Sequence, residues 1–138
     1  MAPTKVEVLL FSPNLERYLM VMIGGAAGSL ARYVLGSAIM ERAGGRFPLG
    51  TVVINITGSF LVGFIMTMLT ERMAPHTNWR LVLVVGFLGG YTTFSCFDWE
   101  SLGLMREGAR WLGFLNLAGS VVAGYLAVWL GAVLAARR

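Results

Sequence analysis

The sequence predicts an all-α integral membrane protein with four transmembrane helices, the third broken in mid-membrane. Three observations predict it. Of 138 residues, 57% are hydrophobic and 13% charged, about half the charged share of a soluble domain. Residues 49–69 and 111–136 carry no charge, and each run exceeds the roughly 20 residues that cross about 30 Å of hydrocarbon. Residues 86–97 read Gly-Phe-Leu-Gly-Gly-Tyr-Thr-Thr-Phe-Ser-Cys-Phe, which sets glycines and hydroxyls inside a segment that must also cross. Exposed polar backbone is costly in hydrocarbon and persists only where it faces protein, water or an ion. The stretch therefore reads as a helix break and a candidate ion site.

Residues 1–17 form an N-terminal lead-in, and residues 18–138 a single four-span membrane domain. The apolar run at 6–11 is short, interrupted by Glu7 and followed by Pro13 and Glu16. No small-residue cleavage site follows, so it reads as a cytoplasm-type lead-in or an amphipathic flap rather than a secretory signal. The first span covers about residues 18–40 with one charge, Arg32. A polar loop with Gly44-Gly45 follows, and Pro48 suits the first turn of the next helix. The second span is 49–69. Pro75, His76 and Asn78 mark the next loop, and His76 is assigned no role. The third span runs about 80–105, interrupted near 89–95. A short connection at 106–110 leads to the fourth, which starts at Trp111.

The basic residues lie between the apolar segments, not along one element, so they mark membrane boundaries rather than a nucleic-acid face. Cys96 is the single cysteine, which excludes an internal disulfide. Four spans place both termini on one side, with six basic residues there (Lys5, Arg17, Arg72, Arg80, Arg137, Arg138) against four opposite (Arg42, Arg46, Arg106, Arg110). So even a balance permits insertion in both orientations, and hence a dimer of opposed copies. Small residues four apart, Gly24/Gly28, Gly25/Ser29 and Gly119/Ala123, predict close helix packing.

Polar residues inside the spans carry the functional signal. Thr51, Asn55 and Ser59 share one helix face, as do Asn116, Ser120 and Gly124. Two accounts fit them: interhelical glue, or a line of donors for a passing anion, since an amide NH2 offers two hydrogens. Phe94 and Phe97 stand three apart and can turn two rings to one side, where ring edges of partial positive charge accept an anion. The break frees carbonyls near Gly89–Thr92, a common cation ligand in membrane proteins; a plain kink satisfied by the Thr92 or Thr93 hydroxyl is the other account. Arg32 can snorkel to an interface, pair with Glu100, or draw anions to a vestibule. No nucleophile–base pair, metal-ligand cluster or phosphate loop is present, so the chain carries no catalytic machinery. Four short helices hardly enclose a wide pore, so any pathway is narrow or runs between subunits.

On these residues the chain resembles the Fluc or CrcB family of fluoride channels, over about residues 18–135. The matches are Gly86-Phe87-Leu88-Gly89-Gly90, Thr92-Thr93-Phe94-Ser95, Phe97, Glu100, Asn55, Arg32 and Asn116-Leu117-Ala118-Gly119-Ser120. The resemblance implies a dual-topology (antiparallel) homodimer in the lipid bilayer of a prokaryotic inner membrane. Two narrow pores would pass fluoride out of the cell passively. Asn55, Phe94 and Phe97 would line the fluoride path, with Ser95, Asn116 and Ser120 continuing it. Backbone carbonyls of Gly89 and Thr92 from both subunits would hold a central structural sodium ion (Na+). Arg32 would guard a vestibule and Glu100 would sit near one pore end. Cys96 and Asp98 depart from the family's usual threonine and serine. A thiol donates more weakly than a hydroxyl, and a carboxylate at Asp98 discourages anions unless it is protonated or faces solvent. The alternative is a small four-span dual-topology drug/proton antiporter. That needs an acid in the middle of the first span, where this chain has Arg32 and no acid. A noncatalytic packing subunit would leave Asn55 and Asn116 without purpose.

Overall fold

The computed structural model describes residues 13–71 and 77–137; the lead-in up to residue 12, Pro75 and His76 lie outside the described residues. Everything described is helical or a short connection. Helix α1 is Pro13–Ala43 and α2 is Leu49–Glu71. Helix α3 joins Thr77–Trp79, Arg80–Leu88 and Gly89–Tyr91 end to end. Helix α4 is Phe94–Arg106 and α5 is Arg110–Ala136. Among the described residues, four stretches are long and apolar enough to cross a membrane: Asn14–Ala43, Leu49–Glu71, Arg80–Arg106 and Arg110–Ala136.

Local chemistry sets the ends. α1 starts a turn earlier than its apolar run, taking in residues 13–17, because Glu16 in the first turn and Arg42 in the last complement the helix dipole. Arg42 also donates to the Ala38 carbonyl at 3.2 Å. Gly44 closes the helix at φ +59°, its N–H on the Met40 carbonyl at 3.1 Å, a left-handed cap that favours glycine. Pro48 opens α2, and its carbonyl takes the Val52 N–H at 3.1 Å.

α2 packs along α5, α1 along α3, and α4 against α5. Glycine permits the closest approaches. A Cβ on Gly28 would overlap the Phe87 carbonyl, and one on Gly63 the Val128 carbonyl. The Gly24/Gly28 and Gly25/Ser29 pairs thus face α3, with Ser29 donating to the Gly90 carbonyl at 3.5 Å. Gly119 of the Gly119/Ala123 pair differs: a Cβ there meets only Leu115 of its own helix. We expect G63V to lower the thermal unfolding midpoint in detergent, by about 1–3 kcal/mol of overpacking, while G119A leaves it unchanged; differential scanning fluorimetry checks both.

Ile54, Leu88 and Tyr91 form the buried centre. Large apolar groups such as Tyr33, Trp111, Tyr125 and Trp129 point outward, as hydrocarbon or a neighbouring subunit allows and water does not.

The third span holds two irregularities. Arg80–Leu88 winds as a π-helix, and the Gly89 N–H reaches back to the Val84 carbonyl. Such wide turns are rare and gather at functional sites. Then Thr92 (φ −85°, ψ 157°) and Thr93 (φ −149°, ψ 122°) are extended before α4 begins. The glycine pair ahead of them stays helical: Gly89 has φ −63°, ψ −37°. Gly90 serves close approach, its missing Cβ leaving room for the Gly25 carbonyl.

Candidate ion pathway

The two extended residues leave backbone groups that need partners inside an apolar bundle. The Leu88 carbonyl accepts both the Thr92 N–H at 3.0 Å and the Thr92 hydroxyl at 2.9 Å. Thr93 caps α4, its hydroxyl accepting the Cys96 N–H at 3.4 Å. Asn55 on α2 supplies the rest. Its amide nitrogen donates to the Thr93 carbonyl at 2.9 Å, and its oxygen accepts the Thr93 N–H at 2.9 Å. One side chain thus satisfies both backbone groups of Thr93, and the Thr93 N–H is drawn from the Gly89 carbonyl toward α2. Because Asn55 carries two amide hydrogens, one is still uncommitted.

Around this clamp lies a groove of about 420 Å³ whose lining includes Asn55, Ser59, Thr92, Thr93, Phe94, Phe97 and Ser120. Four of the six residues expected to line a fluoride path therefore meet here, Asn55, Phe94, Phe97 and Ser120, while Ser95 and Asn116 do not line it. The two rings stand 5.8 Å apart, tilted by 43°. Phe97 is packed inward, whereas Phe94 is 73% exposed and projects from the start of α4.

Behind the groove runs a hydrogen-bonded chain. Ser120 donates to the Asn116 oxygen at 3.2 Å, Asn116 donates to the Ser101 oxygen at 2.8 Å, and Ser101 donates to the Phe97 carbonyl at 2.8 Å. Asn116 is wholly buried, so it reaches the groove only through Ser120. Ser101 escaped the sequence reading. Its one signal was a hydroxyl four residues after Phe97, the spacing of a back-bond within a helix.

A second groove, of about 490 Å³, is lined by Arg32, Thr51, Cys96 and Glu100 among others. Arg32 and Glu100 share this space, but among the described residues they make no ion pair. Instead Thr51 donates to one Glu100 oxygen at 2.7 Å, and the other oxygen is buried without a partner. Ser95 and Asp98 are exposed and line neither groove. Gly89 is exposed and Thr92 half-buried. Among the described residues no cluster of His, Cys, Asp and Glu suits a metal ion, so any cation would rest on backbone oxygens.

The sequence matches the family profile described as CrcB-like protein, Camphor Resistance (CrcB), over residues 19–132. The chain belongs to this family. Among its CrcB-like relatives is the "Fluoride-specific ion channel FluC" of Solibacter usitatus, 60% identical over 121 residues, covering 88% of this chain and 99% of the relative. A protein of the same name from Acidobacterium capsulatum is 47% identical, covering 88% of this chain and 97% of the relative. A third, from Hydrogenobaculum, is 47% identical over 83% of this chain and 93% of the relative. As a CrcB-like protein the chain is a multi-pass membrane protein of an ion-channel family, not an enzyme.

Proposed function

We propose that the chain is a fluoride channel that lets cytoplasmic fluoride leave the cell down its electrochemical gradient. The carrying observation is the groove at the Thr92–Thr93 break, where Asn55, Phe94, Phe97 and Ser120 converge. The name borne by its close relatives agrees. Fluoride is small and tightly hydrated, so a pore must replace its water with donors yet still release it. The spare Asn55 hydrogen and the edges of the two rings are such donors, and Ser120 could become one by giving up its bond to Asn116.

One copy leaves this groove open along its side, with Phe94 projecting from it. A second, antiparallel copy would close it, and two such copies would give two narrow pores. The near-equal count of basic residues at the two membrane faces supports this arrangement. The second groove, with Arg32 to attract anions and Glu100 beyond it, would be a vestibule. Ser95, exposed in one copy, would meet the path only from the partner's side.

A structural sodium ion at the dimer axis fits the donor chemistry. Backbone carbonyls at an unwound helix are hard oxygen ligands, and the Thr93 N–H that would normally cover the Gly89 carbonyl is held by Asn55. Gly89 and Thr92 of each copy would hold the ion, which would supply positive charge close to buried anions. A proton-coupled antiporter is disfavoured, because α1 has no acid between Tyr18 and Met40.

Purified protein in vesicles tests the reading. We expect a fluoride electrode to record rapid efflux, and chloride, too large for so close a cage, to leave at the rate of protein-free vesicles. Equal release of the two halides would overturn the assignment.

A further inference from the structure

The hydrogen bonds behind the first groove have a single direction, and it governs what Ser120 can offer an anion. The Phe97 carbonyl can only accept, so Ser101 gives it its one hydroxyl hydrogen. The Ser101 oxygen is left as an acceptor, which selects the NH2 end of Asn116. The amide oxygen of Asn116 is thereby turned to Ser120, which donates to it. Ser101 and Asn116 are 1% and 0% exposed, so water does not compete for these positions. We propose that Ser101 is a positioning residue of the ion path: by fixing the orientation of Asn116, it directs the Ser120 hydrogen away from the groove. This rests on the fluoride-channel reading above.

While bonded to Asn116, Ser120 turns lone pairs toward the groove, and these repel an anion. Fluoride must draw the hydrogen away from Asn116 before Ser120 can donate. The Ser120–Asn116 bond, at 3.2 Å, is longer than the two 2.8 Å bonds behind it, so it is the one that yields. The competition weakens anion binding at Ser120 by the worth of about one net hydrogen bond, roughly fivefold in affinity. That suits a pore, where binding too firm would stall release. Ser101 itself never touches the ion.

The test is S101A in reconstituted vesicles, read as fluoride flux against fluoride concentration. With the Ser101 hydroxyl gone, one end of the Asn116 amide must face a methyl group. A buried carbonyl goes unpaired more readily than a buried N–H, so Asn116 turns over and offers its NH2 to Ser120. Ser120 then donates into the groove. We expect the half-saturating fluoride concentration to fall about fivefold, with a lower maximal flux. S101T, which keeps the hydroxyl, holds the wild-type value. Combining S101A with S120A abolishes the shift, because the affected donor is gone. S101C fills the same space with a weak acceptor and gives a smaller shift of the same sign, which secures the reading if S101A does not reconstitute. An unchanged half-saturating concentration in the alanine or cysteine variant would overturn the inference, as would a shift that survives loss of the Ser120 hydroxyl. Wild-type vesicles that pass no fluoride would overturn the channel reading, and the inference with it.

Discussion

Replacing Phe94 with isoleucine is expected to slow fluoride efflux by up to about tenfold while leaving the protein folded. The ring is 73% exposed in one chain, so it contributes little to that chain's own core. It stands 5.8 Å from Phe97, tilted by 43°, and lines the groove that Asn55 and Ser120 also line. Isoleucine is similarly bulky and apolar but has no quadrupole, so it keeps the obstruction and loses the attraction. Aromatic contacts of this kind are worth roughly 0.5–1.5 kcal/mol, and 1.4 kcal/mol is tenfold in a rate or an equilibrium. The check is the fluoride electrode together with an unchanged elution volume in detergent. Unaltered flux would remove the ring from the pathway. F97I is a poorer test, because Phe97 is 4% exposed and its loss also opens a cavity.

The parts of this fold that depend on composition were legible in the sequence. Long apolar runs, two of them free of charge, located the four spans, and their ends moved by a few residues where Glu16 and Arg42 extend α1. An interruption was expected near 89–95; Gly89–Tyr91 is helical, and Thr92 and Thr93 are extended. Glycine is present there for room: Gly90 admits the Gly25 carbonyl. The π-helical Arg80–Leu88 left no trace in the sequence, since a wider register is chosen by what the helix packs on and not by its residues.

The polar faces were read correctly as faces, but spacing does not reveal partners. Thr51 and Asn55 lie on one side of α2, yet one turns to Glu100 and the other to the Thr93 backbone. Likewise Asn116 and Ser120 share a side of α5, but only Ser120 reaches the groove. Ser101 became visible only when α4 and α5 were brought together, because its partner Asn116 stands on the other helix. Arg32 and Glu100 likewise share a groove, yet Thr51 bonds the carboxylate.

Asn55 carries the largest expected effect, because one side chain holds both the N–H and the carbonyl of Thr93 at 2.9 Å. N55L keeps comparable bulk and removes both bonds. Each group stranded in the bundle costs roughly 1–3 kcal/mol, so the thermal midpoint in detergent falls measurably. The cheapest relief is for the Thr93 N–H to close on the Gly89 carbonyl, which straightens the break and withdraws its freed oxygens. Loss of the clamp, on the order of 2 kcal/mol or more, corresponds to about a thirtyfold drop in fluoride efflux. N55D separates shape from charge. Its carboxylate still accepts the Thr93 N–H but cannot donate to the Thr93 carbonyl, and its negative charge faces the groove. It should therefore lose flux as fully as N55L while losing less thermal stability. If N55L instead melts early yet conducts fluoride at the wild-type rate, the clamp is scaffold alone, and the donor that strips fluoride of its water must be sought elsewhere along the groove.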